Sequence, residues 1–250
     1  MIHITQTAGA ATRLLRAIFG AYAWLAFIVG VLLAFLATLL VPWTPLRHQL
    51  AAGASRAIFV LAGVWPKICG LENLPAGHCV VVANHASYID GLLLKGYLPA
   101  RFSFVIKGEM RDIPVVHFVL RRAGAKFVER FEATGSSRDA RRLVKAAQEG
   151  DSLAFFPEGT FQLEPGVRRF RAGAFVAAIK GDMPIVPVAI SGTRKMLPSG
   201  RFWPWPAKIR IDILPPITPG DPAFENHRLL AETARQRVLA VLDEPDLLED

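Results

Sequence analysis

From Lys67 onward, short apolar runs rich in β-branched residues alternate with segments whose apolar positions recur at helical spacing. HCVVVA (78–83), FSFVIK (102–107), AKFVER (125–130), SLAFFP (152–157) and IVPVAI (185–190) read as strands. YIDGLLLKGYL, PVVHFVLRRA, SRDARRLVKAAQEG and AGAFVAAIKG lie among them and read as helices. This rhythm predicts an α/β fold, a mixed sheet with helices packed on its faces. KIRIDILPPI (208–217) alternates like a late strand at the sheet's edge, and NHRLLAETARQRVLAVL (226–242) like an amphipathic helix. The closing DEPDLLED reads as a solvated acidic tail.

The N-terminal part follows another pattern. From Ala17 to Leu46, 30 positions carry no charge. That exceeds both the ~20 residues of a membrane-crossing helix and the ~7–15 apolar residues of a signal peptide. Tyr22, Trp24 and Trp43 lie toward its ends, as interfacial aromatics do. Pro42 and Pro45 stop the helix, and LRHQLAAGASRAIFVLAGVW predicts a second one lying at the interface. Arg13 and Arg16 precede the apolar run while Arg47 and Arg56 follow it, so the positive-inside count is tied. A spanning helix and a monotopic hairpin both fit. The expected division is a membrane-associated helical segment, 1–65, and an α/β domain, 66–250.

Composition narrows the partners. Of 250 residues 52% are hydrophobic, and the formal net charge is +8, so an apolar and basic chain calls for an anionic partner. A phospholipid membrane fits better than nucleic acid, since there is no aromatic RNA-binding motif, zinc-finger spacing or basic heptad helix. Cys69 and Cys79 are too few for a disulfide framework, and no cluster has metal-ligand spacing, so neither metal nor cofactor is implied.

The stretch VVVANHASYID (80–90) carries the candidate chemistry. A buried strand ends at Ala83 and a helix is predicted soon after, because Ser87 and Asp90 have capping-box spacing. His85 sits at the handover, where side chains of α/β proteins often face a ligand. Taken alone, the junction also fits a surface histidine beside a capped helix.

Four stretches in order resemble the glycerolipid acyltransferases, the family that includes bacterial 1-acyl-glycerol-3-phosphate acyltransferases. NHASYID matches a His-x4-Asp signature, GAKFVER a second block, FFPEGT a third and IVPVAI a fourth, over about residues 67 to 195. The resemblance implies His85 and Asp90 as the catalytic pair. It implies acceptor binding at Glu158, Gly159 and Thr160, with Arg130 on the acceptor phosphate and Lys107 and Arg171 as further basic candidates. It also implies acyl-CoA or acyl-carrier protein as donor, a lysophospholipid as acceptor and a place on the cytoplasmic side of the inner membrane. The third block usually continues with arginine; here Phe161 follows Thr160.

The residues support that chemistry independently. Acyl transfer from a thioester to an alcohol needs a base to take the hydroxyl proton, and histidine is the usual side chain for this near neutral pH. A carboxylate about one helical turn away can fix its tautomer and stabilise the imidazolium. Asp90 can play that part, and Glu158 could accept from a hydroxyl. No enzyme nucleophile is needed, which leaves Ser87 as a helix-cap residue and His117 as a packed one.

Overall fold

The computed structural model describes residues 9–128, 143–146, 148–149 and 151–248. Its strands are β1 (Lys67–Cys69), β2 (Val80–Ala83), β3 (Phe102–Lys107), β4 (Lys126–Val128), β5 (Ser152–Phe155), β6 (Ile185–Ser191) and β7 (Arg210–Ile213). They form one sheet in the order β1-β7-β6-β2-β5-β3-β4. All pairs are parallel except β6 with β7, so the sheet is mixed, as expected. β7 is not the edge. The three-residue β1 pairs along its outer side, and a strand that short leaves no alternating pattern to read.

β2 lies at the centre, between β5 and β6. Val80 and Val82 face one apolar layer while Val81 and Ala83 face the other, so the run VVVA is buried on both sides. On the first face pack α5 (Gly173–Lys180) and α7 (His227–Leu239), through Phe175, Leu230, Ala234 and Val238. Asn226 caps α7 by accepting from the N–H groups of Arg228 and Leu229. The second face is covered by α3 (Asp90–Tyr97) and α2 (Thr44–Leu61), through Leu93, Leu94 and Phe59. A short helix, α4 (Pro114–Arg122), links β3 to β4, and α6 (Thr193–Met196) follows β6. Of the helix expected over 137–150, residues 143–146 are helical and most of the remainder lies outside the described residues.

α1 (Ala10–Leu40) is long and apolar enough to cross a membrane. Its buried positions are Gly20, Ala23, Ala26, Gly30 and Thr38. These small side chains allow close approach: a Cβ on Gly30 would sit 2.1 Å from Ile58 of α2, and one on Gly20 the same distance from the Trp203 indole. The opposite surface exposes Leu15, Ile18, Leu25, Ile28, Leu32 and Leu39. Val41 is extended, as the residue before Pro42 must be, and ends the helix. α1 touches the α/β body along its length, from the Arg16 carbonyl, which accepts the Trp203 indole N–H, to Thr38. Trp24 Nε1 donates to the Phe202 carbonyl at 2.9 Å, and the Arg122 guanidinium donates to the Thr38 carbonyl. Val64 and Phe59 share the core of the sheet's second face with Ala23 and Ala26, which fixes the helical pair on that face.

The closing acidic segment is not a solvated tail. Val167 and Asp246 form a parallel bridge, Val167 N–H donates to the Pro245 carbonyl at 3.0 Å, and Glu244 pairs with Arg194 through both carboxylate oxygens at 3.0 Å.

Candidate active site

The site forms where β2 and β5, adjacent and parallel, both end. Loops at the C-terminal ends of parallel strands are where α/β folds bind ligands. Beyond Ala83, the Asn84 side chain continues the sheet by donating to the Ile190 carbonyl at 3.0 Å and accepting its N–H at 2.7 Å. The chain then turns, placing the His85 ring beside the start of α3.

Asp90 is fully buried and opens α3, where a carboxylate also complements the helix dipole. Its Oδ2 lies 2.9 Å from His85 Nδ1 and accepts the N–H groups of Ala86 at 2.7 Å and Ser87 at 2.8 Å. Since a carboxylate only accepts, Nδ1 is the protonated nitrogen and Nε2 keeps its lone pair. That is the arrangement of a general base with its orienting carboxylate. The capping-box spacing holds in half: Asp90 accepts the Ser87 N–H, while the Ser87 hydroxyl donates to the Leu197 carbonyl at 2.5 Å and receives the Ile89 N–H at 3.3 Å. Ser87 is buried and tied, so it is not placed as a nucleophile.

The turn after β5 holds the other side. Gly159 has φ of 75°, a left-handed conformation that glycine adopts without strain, and a Cβ there would lie 3.0 Å from the Arg171 guanidinium. Thr160 follows in the same turn, partly buried. Glu158, expected to meet a substrate hydroxyl, is engaged by main-chain donors on both carboxylate oxygens. It is buried, and its Oε1 accepts the His85 N–H at 2.7 Å while Oε2 accepts the Arg168 N–H at 2.9 Å. Burial pushes its carboxyl up to about 7, against the pull of those two main-chain donors. Glu158 therefore clamps the histidine loop to the loop carrying Arg168, Arg169 and Arg171.

Aromatic rings enclose the histidine. Phe156 stacks on His85 with centroids 4.3 Å apart, and Phe161 lies 4.5 Å away on a tilted plane. Tyr88 meets Phe161 edge-on at 4.8 Å and stacks with Phe202 at 6.1 Å. A row of rings thus runs from His85 toward α1. Lys107 closes β3 at this end of the sheet, though its side chain lies outside the described part of the structure, as does the whole of Arg130. His117 is half-buried and packs edge-on against Phe127 at 5.0 Å. Among the described residues no group of three His, Cys, Asp or Glu side chains is placed to hold a metal ion.

Sequence reading gave no role to Phe156 and Asn84, and took Arg168 only as one of a basic cluster with Arg169 and Arg171, not as a main-chain donor to Glu158. Asn84 stands directly before His85 and Phe156 two residues before Glu158, but nothing in their spacing shows that β2, β5 and β6 are neighbours.

The sequence model of the acyltransferase family matches residues 66–191, which contain His85, Asp90, the Glu158–Thr160 turn and Arg171. The chain belongs to that family. A chloroplastic 1-acyl-sn-glycerol-3-phosphate acyltransferase of Brassica napus is 34% identical over 135 residues, covering 53% of this chain and 39% of that protein. A 1-acyl-sn-glycerol-3-phosphate acyltransferase of Borreliella burgdorferi is 30% identical, covering 53% and 54%. A lyso-ornithine lipid O-acyltransferase of Pseudomonas aeruginosa is 30% identical, covering 63% and 59%. The chain thus spans about two fifths of the Brassica protein and somewhat over half of the two bacterial ones. The crystal structure of the 1-acyl-sn-glycerophosphate acyltransferase of Thermotoga maritima superposes with a TM-score of 0.76 at 24% identity, covering 91% of this chain and 94% of that one, which establishes the fold.

Proposed function

We propose that this family member transfers a fatty acyl group from acyl-CoA or acyl-carrier protein to the free hydroxyl of a lysophospholipid, 1-acyl-glycerol-3-phosphate first among them. The observation that carries the proposal is His85, held by Asp90 with Nε2 free at the mouth of the site. The acceptor hydroxyl oxygen attacks the thioester carbonyl carbon as Nε2 takes its proton. The tetrahedral adduct then expels the thiolate, which recovers that proton from the imidazolium. The carbon–oxygen ester bond forms, the carbon–sulfur bond breaks, and no covalent enzyme intermediate is required. Arg171, over the Gly159 turn, supplies a guanidinium suited to a phosphate, and Arg130 and Lys107 are proposed beside it.

Membrane contact belongs to the same proposal. From Gly20 to Thr38 α1 runs about 27 Å, close to the ~30 Å thickness of a bilayer core, yet both ends rest on one α/β body. This supports a helix lying along the membrane surface with its exposed leucines in the lipid, rather than one crossing it. We place the catalytic domain on the cytoplasmic face of the inner membrane.

A second reading, the acylation of a lyso-ornithine lipid, is favoured by Phe161. An aromatic ring rather than a cation adjoins His85, which suits a larger and less anionic headgroup. The test is to incubate purified full-length protein with radiolabelled acyl-CoA and a panel of lysolipids. Diacyl product from lysophosphatidic acid supports the first reading, and product from lyso-ornithine lipid alone the second. Free fatty acid formed regardless of acceptor would make the protein a thioesterase.

A further inference from the structure

A cationic cluster at the N-terminal end of α1 takes no part in the chemistry above. The loop between α6 and β7 folds against this end. Trp203 Nε1 donates to the Arg16 carbonyl at 3.3 Å, and the Trp203 indole fills the space left by Gly20. Two guanidinium groups then stack on one ring: Arg16 lies 4.3 Å and Arg201 3.8 Å from the Trp205 centroid. Among the described residues no carboxylate pairs with either arginine, and α1 has no acidic residue in its first turn to offset its own dipole. Arg201 Nη2 is used by the Lys195 and Met196 carbonyls at 2.7 and 2.8 Å, while its Nε is buried without a partner. Burial first, and then the nearby charge of Arg16, lower the Arg201 pKa. An anion here relieves that repulsion.

The surroundings decide which anion. Phe202 and Trp203, in the same loop as Arg201 and Trp205, stand exposed, and Leu15 and Ile18 expose apolar surface on the outer side of the same helix end, a combination of cations and large apolar side chains that a dissolved anion does not need. A lipid headgroup with chains attached uses both parts. We propose that Arg16 and Arg201, stacked on Trp205, form a binding site for the phosphate of an anionic membrane phospholipid, distinct from the acceptor site at His85. The inference rests on the membrane-surface placement of α1 given above. A lipid bound here sits at the end of the aromatic row Phe202–Tyr88–Phe161 that leads to His85.

The test is flotation of the full-length protein with vesicles of phosphatidylcholine alone or mixed with phosphatidylglycerol. The wild type binds both and prefers the mixed vesicles. Arg16→Gln loses about fivefold of that preference, the effect of one cation near an anionic surface, and keeps its binding to neutral vesicles. Arg16→Lys, which retains the charge, restores most of the preference. Arg228→Gln removes the same charge from α7, on the other face of the sheet, and leaves the preference unchanged. Equal losses in Arg16→Gln and Arg228→Gln would overturn the site in favour of diffuse charge. Displacement by millimolar glycerol phosphate would overturn it in favour of a soluble anion. Absence of binding to either vesicle would overturn the membrane placement itself. A wild type that binds both vesicles equally would overturn the site alone.

Discussion

One oxygen of Asp90 gathers three donors, the His85 ring and two main-chain N–H groups, so dyad and loop are a single unit. His85→Ala is expected to lower the transfer rate about 10²–10⁴-fold, the usual contribution of acid–base catalysis. Adding Asp90→Asn to it should then cost little more, because residues acting as a unit are not additive. Steady-state rates of the two single variants and the double variant check this; losses that multiply would separate the residues. Glu158 makes a different prediction. Its folded pKa of about 7 lies above the ordinary 4.5, so the protonated carboxyl is the form the fold favours. The resulting stabilisation is complete below about pH 4.5 and is lost as pH rises to about 7, amounting to at most about 3 kcal/mol. Urea unfolding of wild type and Glu158→Gln across that range should show the wild type's relative stability falling with pH; a constant difference would place the carboxyl elsewhere on the scale. His85 and Asp90 were legible because their spacing is local to one loop. The clamp at Glu158 was not, since its partners lie 73 and 10 residues away and are main-chain atoms.

Among the elements, the C-terminal segment is the one whose role the sequence concealed. Acidic residues after a helix look solvated, but Arg235 changes their meaning. Its side chain is 1% exposed and donates to the Arg168 carbonyl at 3.1 Å, the Val167 carbonyl at 3.2 Å and the Asp246 carboxylate. Together with Arg194 and Glu244 it straps the loop that follows the Glu158 turn. Arg235→Ala takes the guanidinium away from the Asp246 carboxylate and from the Arg168 and Val167 carbonyls, and is expected to cost about 3–5 kcal/mol. Denaturant unfolding measures that loss. With the variant still folded at low temperature, a rise in KM for the acceptor larger than the fall in kcat would show that the strap positions the arginine loop. The strands were read correctly wherever burial on both faces gives a continuous apolar run, as in β2, β5 and β6. β7 was misplaced at an edge because alternation reports one-sided environment, not neighbours, and its outer neighbour has only three residues.

At the scale of the whole molecule, the 30-residue uncharged run is unmistakable in the sequence, but whether it crosses a membrane is a question of tertiary contact. The proposed boundary near residue 65 separates the part that meets lipid from the sheet and its loops. Across it, Phe59 of α2 packs into the sheet's second face at 2% exposure, whereas α1 buries mainly small side chains. Removing residues 1–42 should therefore abolish vesicle binding and leave a cooperative unfolding transition. Extending the deletion through residue 65 should cost at least the ~3–5 kcal/mol of a lost core phenylalanine. Calorimetry of the two truncations distinguishes these outcomes.

The central claim is that His85 activates a lysolipid hydroxyl for acyl transfer. Its most direct measurement is the product formed by the full-length protein from labelled acyl-CoA, with and without lysophosphatidic or lyso-ornithine lipid, in wild type and His85→Ala. The account predicts acceptor-dependent diacyl product in the wild type and at least a hundredfold loss in the variant, consistent with general-base catalysis. Diacyl product formed at an undiminished rate by His85→Ala, or thioester cleavage that ignores the acceptor, would contradict it.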